Sequence, residues 1–70
     1  MAEELLASRL TERERAILRC LAEGLQSEAI GKRLHITKVT VRNHVQTILR
    51  RLDVHTRLAA VRFARDHNLV

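Results

Sequence analysis

Apolar side chains recur along this chain at the spacing of helix faces, in four blocks. Ile17, Leu18, Leu21 and Leu25 make the first stripe, and Ile30 and Leu34 a shorter second one. Val41, Val45, Ile48, Leu49 and Leu52 make the longest, and Ala60, Phe63 and Ala64 the last. Steps of three and four put each set on one side of a helix. The residues between the blocks agree with this. "TERE" (Thr11–Glu14) is a capping box, in which the Thr11 hydroxyl accepts from the Glu14 amide and the Glu14 carboxylate from the Thr11 amide. Leu10 before it and Arg15 after it do not make a clean hydrophobic staple. Gly24 supplies a left-handed stop. Gln26 is a poor cap beside Ser27, whereas Thr37 and Thr56 are good ones, and Asn68 ends the last helix with Leu69 packing back. The pattern predicts an all-α domain of four helices, over roughly 12–23, 27–34, 38–51 and 57–67. Gly31 inside the second costs about 1 kcal/mol relative to alanine and points to close approach of another helix.

Between the second and third helices lie only His35, Ile36 and Thr37, with Ile36 plugging the core. Two helices joined by so short a turn, the second with a polar and basic outer face, form a helix-turn-helix. That outer face carries no carboxylate. Arg42 suits bidentate recognition of guanine, Asn43 and Gln46 suit adenine, and Val39 suits a thymine methyl. Lys32, Thr37, Lys38, Thr40, Thr47, Arg50 and Arg51 sit at helix ends or flanks, where ammonium, guanidinium and hydroxyl groups meet backbone phosphates. The bland alternative for each is a solvated helix face. On the fourth helix, Ala60, Phe63 and Ala64 pack inward and leave Leu58, Val61, Arg62 and Arg65 as a mixed apolar and cationic surface, suited to a dimer contact.

Composition narrows the choice further. Seventy residues hold one domain with a small core, here assigned to 10–70 after a lead-in or linker remnant over 1–9. A single cysteine, Cys20, at the edge of the first stripe, forms no intrachain disulfide and fits a cytoplasmic setting. No apolar run reaches a membrane span and no secretory signal stands out. The net charge of +5 is unevenly spread. Residues 1–31 carry four Arg against six Glu, and residues 32–70 carry nine Lys or Arg against Asp53 and Asp66. A basic second half is the footprint of a nucleic-acid binder, and equally of a merely cationic surface. His35, His44, His55 and His67 are scattered without a ligand pair, so no metal or other cofactor is expected. Glu14 has no nucleophile, base or second carboxylate with it, so catalysis finds no constellation.

In order along the chain, "LTERE", "LAEGL", "AIGKRL", "TVRNHV", "ILRRLDV", "TRLAAV" and the closing "HNLV" resemble the LuxR-type (GerE-type) DNA-binding domain, also the output half of many bacterial response regulators. The likeness covers residues 10–70. It departs at Glu12, where the family often has proline, at Gly31, where it favours alanine, and at Gln26, where it favours serine or threonine. The resemblance implies a third helix in the DNA major groove and supports Arg42, Asn43 and Gln46 as its reading positions. It also implies a homodimer contact through the fourth helix, in some cases only on DNA, and no catalysis. Partners so implied are double-stranded DNA, a second copy of the chain and, as a further candidate, RNA polymerase. Two rivals stand beside it. One is a helical protein-interaction module working through the fourth helix. The other is a sigma-factor-like promoter reader, which the order of motifs fits less well.

Overall fold

Each stripe forms its helix. In the computed structural model, which describes residues 8–70, α1 spans Glu12–Ala22, α2 Ser27–Leu34, α3 Lys38–Leu52 and α4 Arg57–Asp66. All but two residues of the lead-in expected over 1–9 lie outside the described residues. The ends differ from the expected ones by single residues. Glu23 and His67 turn out to cap α1 and α4 rather than to end them, and α3 runs one residue further, to Leu52.

The caps explain these limits. Thr11 and Glu14 form the reciprocal box, at 3.1 Å for the Glu14 amide and 2.8 Å for the Thr11 amide. Thr37 and Thr56 accept from the amides of Thr40 and Ala59. Gln26 makes no side-chain cap. After α1, Gly24 at φ 84° lets the Leu25 amide reach back to the Cys20 carbonyl. The other three helices end with non-glycine residues in the left-handed region, His35 (φ 60°), Asp53 (φ 55°) and Asn68 (φ 56°). Asp53 also sets a carboxylate at the negative end of the α3 dipole. Asp53→Gly should therefore raise stability by about 0.5–1 kcal/mol, or roughly 3–6 °C in Tm. Thermal unfolding followed by circular dichroism tests this, and an unchanged or lower Tm would refute it.

The core gathers Ile17, Leu18, Leu21, Ile30, Val41, Val45, Ile48, Leu52, Ala60 and Ala64, joined by Leu10 and Cys20. Leu25 and Leu34, expected inside, are only half-buried. Cys20, expected at the rim, is buried with the core, at 3 % exposure. Leu10, preceding the capping box, folds under α1 instead of stapling its outside. α3 packs against all three other helices, and α1 also against α4. Gly31 does mark a close approach, but to the turn and not to a neighbouring helix. A β carbon there would lie 2.6 Å from the Ile36 carbonyl oxygen, so the tight angle between α2 and α3 depends on its absence. No helix among the described residues is long and apolar enough to cross a membrane.

Candidate nucleic-acid interface

α3 has two unlike sides. Val41, Val45, Ile48 and Leu52 are buried to 2 % exposure or less. Val39, Arg42, Asn43, Gln46 and Arg50 are exposed, Val39 to 64 %. Val39 to Arg42 or Asn43, these two to Gln46, and Gln46 to Arg50 are steps of three or four residues, so the set forms one ridge. From Val39 to Gln46 the ridge rises about 10 Å, the height of some three base pairs. All four base-reading candidates thus stand on a single outward strip. The buried strip lies on the opposite side of the helix.

The polar candidates divide. Lys32, Thr37 and Lys38 line the open groove in the angle between α2 and α3. Lys32 lies 3.9 Å from Glu28, with both side chains in solvent, where such a pair is screened and easily exchanged. The hydroxyls of Thr37 and Thr40 lie 2.9 Å apart at the positive end of α3. Further along, Thr47 donates to the Asn43 carbonyl (3.1 Å) and accepts from Arg50 Nη2 (3.3 Å). Its hydrogen is spent inside the helix, and its effect is to orient Arg50. Arg51 faces away from the ridge. Its Nη1 donates to Glu14 Oε1 at 2.6 Å and to the Arg9 carbonyl at 2.9 Å, so one nitrogen of this guanidinium is engaged within the domain.

One cation escaped the sequence reading. Arg57, at the start of α4, donates to Ser27 Oγ at 2.9 Å and lines a polar cleft with Lys38, Arg42 and Gln26. Nothing local in "HTRLA" signals this, because the cleft forms only when α4 folds beside the start of α2. Arg33 pairs with Glu23 at 2.9 Å, and the hydrogen bond and charge of that carboxylate raise its pKa above the ordinary value. On α4, Leu58 is 79 % exposed and Arg62 is open to solvent. Val61 is half-buried, and Arg65 donates to the Ala22 carbonyl at 3.2 Å. Among the described residues no group of His, Cys, Asp and Glu is placed to hold a metal. His67 instead stacks on Phe63, ring centroids 4.1 Å apart.

A two-sided helix after a tight turn is a geometry that several regulator families share. Comparison of the chain with known families gives a match over residues 8–64 to the bacterial regulatory proteins of the luxR family. The chain belongs to the LuxR family. Its membership puts it among DNA-binding regulators of transcription. This LuxR-family domain is similar to the response regulator protein VraR of Staphylococcus aureus, Staphylococcus saprophyticus and Staphylococcus epidermidis. It is 46% identical to each over 61 residues, or 87% of this chain. The chain spans 29% of the length of those relatives.

Proposed function

We propose that this domain recognises a short sequence in double-stranded DNA by laying α3 in the major groove. The outward strip of α3 carries the reading. It is exposed, free of carboxylates, and set opposite a fully buried strip. Arg42 pairs with guanine, Asn43 and Gln46 with adenine, and Val39 meets a thymine methyl. Lys32, Thr37, Lys38 and Thr40 contact phosphates at one end of the helix, with Arg57 added beside Lys38, and Arg50 does so at the other. Arg51 is left out of this set, since its Nη1 is engaged by Glu14 and the Arg9 carbonyl.

Two copies bind together through Leu58, Val61, Arg62 and Arg65, on a roughly palindromic site that separates their reading helices by about 34 Å. The exposure of Leu58 supports this contact. The work belongs to bacterial transcription control in the cytoplasm, next to RNA polymerase.

Selection of bound duplexes from a random pool, at two salt concentrations, tests the reading. A short motif repeated at one-turn spacing is expected. With about six phosphates neutralised per domain, log affinity should fall against log salt with a slope near −5. A slope near zero, or capture of every duplex without preference, would contradict base reading by this face.

A further inference from the structure

The contact between α1 and the far end of α3 is more than a surface salt bridge. Glu14 is 3 % exposed at its side chain, against 38 % for Arg51. Its Oε1 accepts two hydrogen bonds, from the Thr11 amide at 2.8 Å and from Arg51 Nη1 at 2.6 Å. The same Nη1 reaches the carbonyl of Arg9 at 2.9 Å. One buried carboxylate therefore caps α1 and anchors the last turn of α3, while the arginine also grips the chain entering α1. Among the described residues, the core that α3 joins is mostly aliphatic. Apolar contact resists separation, but it is non-directional and constrains rotation about the helix axis poorly. A short charge-assisted hydrogen bond is directional.

We infer that Arg51 is a positioning residue for DNA recognition. Through Glu14 and the Arg9 carbonyl it fixes the rotation of α3, and so the direction in which Arg42, Asn43 and Gln46 point. The inference rests on the DNA-reading role proposed above for the outward strip. It contradicts the simpler assignment of Arg51 to a phosphate, and the two assignments give opposite signs for one variant. Glu14→Gln removes a negative charge and loosens Arg51. If Arg51 served a phosphate, this change would tighten binding. If Arg51 positions α3, the same change weakens it.

The test is a titration of a labelled duplex, selected by the wild-type domain from a random pool, with wild type, Glu14→Gln, Arg51→Met, Arg51→Lys and the double variant Glu14→Gln/Arg51→Met. It is run at a temperature where circular dichroism shows each chain folded. Glu14→Gln and Arg51→Met should each weaken binding about tenfold, and the double variant no further, since both break one interaction. Their salt slopes should match that of wild type, and Arg51→Lys should recover part of the loss. In the free domain, amide exchange over Arg50–Leu52 should accelerate in both single variants while α2 is unchanged. Equal or tighter binding by Glu14→Gln, or a slope reduced by about one in Arg51→Met, overturns the inference and leaves the DNA reading intact. A wild-type domain that enriches no duplex overturns the DNA reading itself. In that case, unchanged exchange at Arg50–Leu52 in the variants also rejects the anchoring role. Should Arg51→Met not fold at any temperature, Arg51→Lys, which keeps the charge, decides by the same comparison with Glu14→Gln.

Discussion

Ile48→Ala should remove about half of this domain's stability. Ile48 has no exposed surface and sits in the second half of α3, the helix that touches every other. Removing so much buried aliphatic volume costs about 2–5 kcal/mol, the lost transfer energy plus a cavity that close neighbours fill only in part. A chain of this size has about 4–10 kcal/mol in total. It also lacks the usual reinforcements, since its cysteine is alone and its one aromatic, Phe63, is half-buried at the periphery. Urea unfolding read by circular dichroism is the measurement, because the chain has neither Trp nor Tyr to report by fluorescence. A loss below about 1 kcal/mol would mean that the core is not packed as described. Gln46→Ala, on the opposite side of the same helix, should change stability by no more than about 0.5 kcal/mol.

Arg42→Ala should have the reverse profile, with a stable fold and failed recognition. Arg42 is exposed, and no hydrogen bond or ion pair among the described residues engages it. A bidentate arginine–guanine pair discriminates by about 1–3 kcal/mol, so affinity for the selected site should fall roughly 5- to 150-fold. Preference at one base position should relax along with it. Arg42→Lys separates the two roles of the side chain. Lysine keeps the charge but lacks the planar fork. If Arg42 reads a base, the lysine variant should lose most of the preference while retaining the wild-type salt slope. If Arg42 only meets phosphate, lysine should be nearly as good as arginine, and base reading would have to rest on Asn43 and Gln46. Asn43→Ala should relax preference at a neighbouring position in the same assay, again without loss of stability.

The helices were legible because their beginnings and ends are chemical. Thr11 with Glu14, Thr37 and Thr56 are caps whose partners lie three residues away, so a linear reading contains both members of each interaction. The outward strip of α3 was legible for a related reason, since a helix of known phase fixes which side faces solvent once Val41 and Ile48 are inside. What could not be read is what joins distant segments. Glu14 looked like a capping residue and is one, yet its second partner, Arg51, is 37 positions away. Arg57 joins the cleft beside Lys38 and Arg42 through a contact 30 positions back along the chain. Leu10 and Cys20 lay beyond or beside the helical stripe, so periodicity undervalued them, while both are buried in the core. Gly31 announced a close approach but not that the turn makes it, where another helix was expected, because a missing side chain carries no direction.

The division of α3 into a buried strip and an exposed one also bears on how such a regulator changes its targets. Val39, Arg42, Asn43 and Gln46 are exposed, and their side chains form no part of the core. On the proposed reading, exchanging them alters the DNA site while leaving the folded scaffold almost untouched. Operator drift and protein drift can therefore proceed together through viable intermediates. By the same logic, a small library randomised at these four positions should yield sets of mutually orthogonal regulators on one unchanged framework.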